Sequence, residues 1–375
     1  MKQRIGIVGG GQLGRMLGFA AKRLGFYVSV INPTPNSPAG QVVDNQIVAD
    51  YADETAIRKL AAQSDFLTFE IELANAKILE ALAKTDLQIN PSAKTLTIIK
   101  DKLLQKQFLQ KAKISVAKFM PVVTKTDITA AAKKFGYPLV LKARFDAYDG
   151  RGNALIKKET DIGAALEKLA GRKLYVEQFV PFTKELAVMV ARSTKSEIKT
   201  FPVVETVHQN NICHIVYAPA SVPQIVERKA KNVAVKMMQH LKGAGVFGIE
   251  MFLTKKGEIL INEIAPRVHN SGHYTIEACI TNQFEQHIRA ITGLPLGNTD
   301  MIMPAAVMVN VLGERKGAAA VIGLEKVLQI PNVAVHIYGK AETKLERKMG
   351  HITAVDKDLN KAYKKAIQAR KLLSI

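Results

Sequence analysis

Apolar and polar positions alternate in a regular rhythm from the first residues. Arg4–Val8 is an apolar run behind a single charge, Leu13–Leu24 carries apolar residues at helical spacing, and Tyr27–Ile31 is apolar again. Short unbroken runs read as strands, and recurrence every three to four residues reads as a helix. After a turn rich in proline (Pro33, Pro35, Pro38), the pattern predicts a strand near Gln46–Ala49 and a helix over Glu54–Ala62. A strand over Phe66–Phe69 and a helix over Ala74–Leu82 follow. This βαβ rhythm predicts a parallel sheet with helices on both faces.

Ser92–Lys113 reads as a helix-rich link, and the texture then changes. Short strands are expected at Val116–Val123, Leu139–Lys142 and Ala154–Lys157, with helices at Ile128–Phe135 and Asp161–Ala170 and a turn at Gly136–Pro138. From Leu174 strands dominate: Leu174–Gln178, Glu185–Arg192, Glu197–Glu205, Cys213–Ala218, Gly248–Leu253 and Glu258–Glu263. A long helix at Gln224–Gly243 lies among them, and the tail beyond Met303 closes on a helix at Leu359–Leu373. The expected class is α/β in three units. Residues 1–100 form the βαβ unit, 101–172 a small α+β unit, and 173–375 a larger mixed-sheet unit.

Length and composition agree with several cores rather than one. The chain has 375 residues, 47% of them hydrophobic, and no low-complexity tract. No stretch approaches the roughly 20 apolar residues of a membrane helix, and Gln12 and Arg15 interrupt anything resembling a signal peptide. Cys213 and Cys279 fit neither a redox nor a zinc spacing, which predicts a reduced, cytoplasmic protein with no membrane partner. The formal net charge of +20 admits nucleic acid or small polyanions as partners. The basic residues are spread over helical segments such as Lys94–Lys113 and Lys361–Lys371, without interleaved aromatics. They read as solvated faces, and no nucleic-acid partner is expected.

Chemistry first appears in IVGGGQLGRML, Ile7–Leu17, where Gly9, Gly11 and Gly14 have the spacing G-x-G-x-x-G. In dinucleotide enzymes an acidic residue ending the second strand holds the ribose. Here that strand ends in Ile31-Asn32-Pro33, and the nearest acid, Asp44, lies beyond three prolines. The oxidoreductase reading is therefore disfavoured. What survives is a turn that lets the backbone approach an anion at a helix N-terminus, where a phosphorylated substrate is expected.

Three later stretches carry more. In KARFDAYDGRGN, Lys142–Asn153, a strand ending in a lysine enters a loop with Gly150 and Gly152 around Arg151, suited to folding over phosphates. An ordinary glycine-bearing hairpin is the plain alternative. Lys102 lies at the start of a helix before this unit. In GIEMFLTKKGEILINEIAPR, Gly248–Arg267, two strands flank Lys256-Gly257. With that pair at the hairpin centre, Glu250 faces Glu263 and Phe252 faces Ile261. Opposed Cβ atoms lie about 4.5–5.5 Å apart, and like charges there suit a Mg²⁺ ion that also takes substrate phosphates. Asn262 reaches that ion only if the strand end twists; two solvent-facing glutamates on a surface hairpin are the alternative. In APRVHNSGHYT, Arg267, His269, Asn270, Ser271 and His273 cluster after a strand end and suit an anionic intermediate. Lys340, Arg347 and Lys348, in YGKAETKLERKMGH, form either a phosphate grip or a solvated basic turn.

Taken together, GGGQLGRML, YDGRG, NEIAPRVHNSGHYT and RKMGH occur in the order found in the ATP-grasp superfamily. The chain most resembles its N5-carboxyaminoimidazole ribonucleotide synthetase family, over nearly its whole length. The resemblance implies an N-terminal parallel-sheet domain, a small lid domain over ATP, and a larger domain carrying metal and catalytic groups. It implies that Lys102 and Lys142 contact the ATP phosphates and that Tyr148, Asp149, Gly150, Arg151, Gly152 and Asn153 cover them. The backbone of Glu177, Gln178, Phe179 and Val180 would read adenine and Glu185 the ribose, with His208 and Asn262 completing the pocket. Glu250 and Glu263 would hold Mg²⁺, or Mn²⁺ in its place. Gln12, Leu13, Glu70, Tyr148, Asp149, Asn270, Lys340, Arg347 and Lys348 would bind 5-aminoimidazole ribonucleotide.

The implied reaction is attack of bicarbonate on the γ-phosphate of ATP, with the carboxyphosphate held among Arg267, His269, Asn270, Ser271 and His273. Carboxylation of the ribonucleotide's amine follows, in purine biosynthesis, by a homodimer. Several positions depart from the family pattern. Ala147 replaces Gly, Asp146 brings a carboxylate near phosphates, and Asn153 replaces Gln. Lys344 and Glu346 stand where Arg and Gly are usual, and Phe69–Ala74 keeps Glu70 and Glu72 in a changed frame. A sister ligase, a formate-dependent glycinamide ribonucleotide transformylase or a biotin carboxylase, is the enzyme alternative. A basic nucleic-acid-binding protein is the alternative from another class.

Overall fold

The N-terminal part of the computed structural model, which describes residues 3–146 and 152–375, follows the predicted rhythm closely. Its elements are β1 (Arg4–Val8), α1 (Gln12–Arg23), β2 (Tyr27–Asn32), β3 (Asn45–Val48), α2 (Glu54–Ala62), β4 (Phe66–Phe69), α3 (Ala76–Leu82) and β5 (Gln88–Ile89). The strands form a five-stranded sheet in the order β3-β2-β1-β4-β5, with every pairing parallel. Ile5, Ile7, Val28 and Val30 are fully buried, as strands covered on both faces require. Asp53 starts α2 by accepting the Ala56 N–H, and Asn75 starts α3 by accepting from Lys77 and Ile78.

The link resolves into α4 (Ala93–Lys100), capped by Ser92, and α5 (Lys102–Lys111), capped by Asp101. The small sheet follows: β6 (Phe119–Val122), α6 (Lys125–Phe135), β7 (Leu139–Ala143), β8 (Asn153–Ile156), α7 (Ile162–Lys168) and β9 (Leu174–Gln178). Its order is β6-β9-β7-β8. Leu174–Gln178, assigned to the C-terminal unit by a boundary at 172, is thus an inner strand of the small sheet. The backbone pairs on both sides, with Phe119 and with Val140 opposite Glu177. Sequence periodicity locates a strand but not its neighbours.

The remaining strands build one large antiparallel sheet. It contains β10 (Phe182–Arg192), β11 (Ile198–Thr200), β12 (Val204–Gln209) and β13 (Ile212–Ala218). After α8 (Gln224–Leu241) come β14 (Gly245–Thr254) and β15 (Ile259–Ala265). Helices α9 (Thr275–Ala278) and α10 (Gln283–Thr292) precede β16 (Ala305–Leu312). Then come β17 (Gly317–Ala318), α11 (Leu324–Leu328), β18 (Val333–Ile337), β19 (Glu342–Thr343), β20 (Lys348–Asp356) and α12 (Leu359–Leu372). The sheet runs β15-β14-β10-β12-β13-β16-β20-β18, with β11 on β10; β17 and β19 pair apart from it. The single strand expected over Glu197–Glu205 is split into β11 and the start of β12. Helix α8 lays Ala230, Ala234, Met237 and Met238 on Val188, Val190 and Ile249. Each large apolar side chain so buried contributes about 1.5–3 kcal/mol.

The β14–β15 hairpin differs from expectation in one instructive way. Phe252 pairs with Leu260, not Ile261, so the register near the turn is one residue off the expected centre. A bulge then inserts Asn262 between Ile261, opposite Met251, and Glu263, opposite Glu250. The glutamates face each other because of that extra residue.

Helix α10 joins the N-terminal sheet to the large one. His287 is fully buried, its Nδ1 accepting the Val246 N–H at 3.1 Å. That fixes the proton on Nε2, which donates to Thr68 Oγ1 at 2.9 Å. No described helix is long and apolar enough to cross a membrane.

Candidate active site

The glycine turn follows β1, the central strand, at the carboxyl end of the parallel sheet, where ligands bind in such folds. Its anion site is already filled. Glu70, just past β4, accepts the N–H of Gly11 at 2.7 Å and of Gly14 at 3.3 Å. Gly9 has φ +110° and a Cβ there would lie 2.5 Å from Glu70 Cγ; one on Gly14 would lie 2.8 Å from the Gly9 carbonyl. The glycines therefore serve a carboxylate of the protein itself, which corrects the expectation that a substrate phosphate occupies the turn. Leu13 is also corrected: its side chain is core, leaving only its backbone for substrate. Gln12, half-buried at the start of α1, stays at the mouth.

Around Glu70 stand Arg267, Glu72 and Lys340. Arg267 Nη2 pairs with Glu72 Oε1 at 2.9 Å, and its Nη1 donates to the Val268 carbonyl. Burial pushes Glu70 up to about 7 against the opposing Gly11 N–H and Arg267 charge. Burial pushes Lys340 down to about 7, and neighbouring Arg347 adds to this. On Glu72 burial acts most strongly, but the Arg267 and Lys102 charges together with the Arg267 bond outweigh it and lower that carboxyl. Lys340 donates to the Lys348 carbonyl at 2.6 Å. Its loop is tied to the N-terminal sheet by Gln41, which donates to the Gly339 carbonyl at 2.8 Å. Arg347 lies farther out, donating to the Glu342 carbonyl. Lys348 opens β20. Glu346, where the family has glycine, adopts φ +63°.

The second half of the site spans the two C-terminal sheets. Lys102, first residue of α5, is ion-paired with Glu263. The start of α5 is clamped to the end of β7: the Lys102 N–H donates to the Arg144 carbonyl, and Arg144 Nε donates to Asp101 at 3.0 Å. Lys142 Nζ lies 3.0 Å from Glu177 and 3.5 Å from Asn262 Oδ1, so the bulged residue faces Lys142. Glu185 on β10 pairs with His208 on β12 at 3.1 Å; burial lowers the imidazole, but the Glu185 bond and charge together with the Glu250 charge outweigh it and raise it. Burial and the Glu263 charge push Glu250 up to about 7. A cation between these carboxylates would relieve both causes. The donors are hard oxygens, two carboxylates and the Asn262 amide, as Mg²⁺ requires when phosphates complete its shell. Among the described residues no group of three or more His, Cys, Asp or Glu is gathered for a metal.

The loop after β15 divides into groups that face the site and groups that hold it. His269 Nδ1 accepts the Ser271 N–H and lies 2.9 Å from Ser271 Oγ, so Nε2 carries the proton and points at Glu250, 3.6 Å away. Burial and the Arg267 charge keep this imidazole neutral, well below its ordinary value. Ser271 is 1% exposed, its hydroxyl turned to His269; it orients rather than reacts. His273, expected to be catalytic, is 1% exposed. It lies 3.0 Å from Gln283 Nε2 and packs at a tilt against His351, and burial pushes it down to about 3. Its ring supports the loop from beneath. Asn270 exchanges amide bonds with Asn310 of β16, at 2.9 and 2.6 Å, so its side chain is engaged within the protein.

In the linker after β9 the Gln178 N–H donates to the Lys118 carbonyl and the Phe179 N–H to the Pro138 carbonyl, so these two donors are engaged within the protein; the Val180 carbonyl accepts from Phe182. Glu177 contributes a buried side chain. Gly152 and Asn153 sit at the entry of β8, whereas Tyr148, Asp149, Gly150 and Arg151 lie outside the described residues. Sequence reasoning named Glu72 without giving it a partner, and missed Lys106, Gln283 and Asn310. Of these only Lys106 left a trace, because it falls with Leu103 and Leu109 on the apolar stripe of α5.

Comparison with known proteins agrees with this geometry. The ribonucleotide synthetase preATP-grasp domain matches residues 1–100, the ATP-grasp domain 107–284, and the phosphoribosylaminoimidazole carboxylase C-terminal domain 306–365. The N5-carboxyaminoimidazole ribonucleotide synthase of Bacillus subtilis is 43% identical over 349 residues, covering 93% of this chain and 90% of that protein. The phosphoribosylaminoimidazole carboxylase of Ogataea methanolica is 46% identical over 365 residues, covering 95% of this chain and 67% of its own length. Other fungal carboxylases are longer still relative to this chain, which spans 65% of that of Schizosaccharomyces pombe. The crystal structure of N5-carboxyaminoimidazole synthase from Aspergillus clavatus, in complex with ADP and 5-aminoimidazole ribonucleotide, superposes with a TM-score of 0.91. It is 38% identical, and 99% of each chain is covered. Glycine turn, opposed glutamates and histidine loop thus sit in a fold shared along its length, and the chain belongs to the N5-carboxyaminoimidazole ribonucleotide synthase family of ATP-grasp enzymes.

Proposed function

We propose that this chain is an ATP-dependent carbon–nitrogen ligase that carboxylates 5-aminoimidazole ribonucleotide to N5-carboxyaminoimidazole ribonucleotide in purine biosynthesis. The observation that carries the reading is the Glu250–Glu263 pair, flanked by Lys102 and Lys142 on one side and by Arg267 and His269 on the other. The relative from Aspergillus clavatus holds ADP and 5-aminoimidazole ribonucleotide, which supports ATP and the ribonucleotide as substrates here.

In this reading Lys102 and Lys142 hold the ATP phosphates, while Glu185 and His208 meet the ribose. Glu250, Glu263 and Asn262 are the residues that would hold Mg²⁺, which neutralises charge developing on the transferred phosphoryl group. A bicarbonate oxygen attacks the γ-phosphorus and ADP leaves, giving carboxyphosphate. Arg267 offers a two-pronged cation to that anion. His269 offers an Nε2 proton, so it serves as a donor to an oxyanion rather than as a base. The ribonucleotide amine then attacks the carboxyl carbon, directly or as released CO₂; inorganic phosphate leaves and the amine gives up a proton. Lys340, Arg347 and Lys348 grip the ribonucleotide phosphate. A cytoplasmic homodimer is the assembly consistent with this role.

The test is phosphate release from Mg-ATP and bicarbonate with and without the ribonucleotide. Release that requires the ribonucleotide, one phosphate per carbamate formed, is the expected result. Release indifferent to it would move the acceptor elsewhere, and formate replacing bicarbonate would assign the sister chemistry.

A further inference from the structure

Among the described residues Lys106 is the most deeply buried lysine, and the reaction above does not use it. It is 2% exposed, on the buried face of α5, with its ammonium 3.1 Å from Glu177 Oε1 and 3.3 Å from the Ile261 carbonyl. Glu177 is equally sealed, and its other oxygen pairs with Lys142 at 3.0 Å. Burial alone would raise the Glu177 carboxyl, but Lys106 and Lys142 outweigh it and hold it at about 2. One buried carboxylate is thus shared by two lysines drawn from α5 and β7. An apolar side chain of the same length would fill the Lys106 site without desolvating a charge, so packing does not account for an ammonium there.

We propose that Lys106 is a positioning residue for the nucleotide phosphates: it stays on Glu177 so that Lys142 can leave that carboxylate for a phosphate. This rests on the reading of Lys142 as a phosphate contact. With Lys106 present, departure of Lys142 leaves a neutral, paired Lys106–Glu177 couple. Without it, departure strands a carboxylate in the interior, which is strongly unfavourable, so Lys142 remains captured. The neighbouring pair shows the contrast. Glu263, partner of Lys102, has a side chain 41% exposed and can meet a cation arriving with the nucleotide. Glu177, at 2%, can meet none from outside, and its second cation is built in.

The experiment is calorimetric binding of ADP and of adenosine to the full chain and to K142M, K106M, E177Q and K106M/E177Q. Weaker ADP binding by K142M is expected; unchanged binding there would overturn the phosphate role of Lys142 and the inference with it. Given that role, K106M should weaken ADP about tenfold, roughly 1.4 kcal/mol, and leave adenosine unchanged. The double variant should recover ADP binding, because the carboxylate that captures Lys142 is gone. Equal losses for ADP and adenosine, no loss, or no recovery would each overturn it. If K106M does not fold, E177Q and K106M/E177Q carry the test: their ADP affinities should agree within about twofold, and a larger loss on removing Lys106 would overturn the proposal.

Discussion

The Glu70 carboxylate accepts the backbone N–H of Gly11 at 2.7 Å, and this bond decides what the glycine turn is for. A turn that elsewhere cradles a cofactor phosphate here cradles an acidic side chain from the adjacent parallel strand. The helix N-terminus stabilises that carboxylate, and the carboxylate faces Arg267 and Lys340 across the substrate mouth.

Glu70 therefore shapes stability with pH. Its folded value, about 7, lies above its ordinary value of 4.5, so the folded chain holds the proton more tightly than the unfolded chain. Its contribution is fully favourable below the ordinary value and is lost as pH rises through about 7. Glu70→Gln should flatten the denaturation midpoint between those values while keeping the Gly11 bond. Glu70→Ala, orphaning buried N–H groups, should cost about 1–3 kcal/mol. A wild-type pH profile unchanged by Glu70→Gln would refute this.

Lys340 titrates the other way. With its ammonium pushed down to about 7, it is a phosphate-binding cation only at and below neutrality in the free enzyme. The KM for the ribonucleotide should rise as pH increases through about 7, and Lys340→Arg should abolish that rise, because guanidinium stays charged. Steady-state kinetics from pH 6 to 9 measure it.

Glu263→Ala should abolish phosphate release, by a factor of about 10² or more, with the fold intact. Glu263 lies on β15, the edge strand of the large sheet, whose backbone pairing with β14 does not need the carboxylate. Deleting Asn262 removes the bulge but leaves Glu263 next after Ile261 and so still opposite Glu250; a loss of release in that variant would report the missing Asn262 amide. Circular dichroism together with the release assay separates lost chemistry from lost fold.

Glu346 occupies a left-handed conformation, φ +63°, which glycine adopts without strain. Glu346→Gly removes that strain. The Asn210 amide bond it also removes, 3.3 Å long and exposed, is worth little. The expected outcome is a gain of about 0.5–1 kcal/mol in chemical denaturation.

His287 joins two sheets by bonds to Thr68 and Val246 and is held neutral by burial, down to about 3. Because its folded value is depressed below 6.5, its contribution is present at neutral pH and lost as pH falls toward 3. His287→Leu should cost about 2 kcal/mol and weaken that acid sensitivity, read by denaturation at pH 7 and pH 5.

The sequence by itself determined the local structure and most of the cast. Strands β1, β2 and β4 announce themselves as apolar runs, because a parallel strand buried on both faces tolerates little else. The opposed Glu250 and Glu263 were legible from hairpin pairing, although the bulge that aligns them was not: one extra residue leaves no mark in periodicity. Tertiary structure alone decided who faces whom. The place of β9 between β6 and β7, the capture of the glycine turn by Glu70, and the meeting of Lys106, Glu177 and Lys142 depend on contacts between residues far apart in the chain. Burial also decided function. The same imidazole chemistry that reads as catalytic in HNSGHYT is held neutral at His269, with Nε2 toward Glu250, and becomes a packed support at His273, because the interior withholds the water that would keep either ring charged.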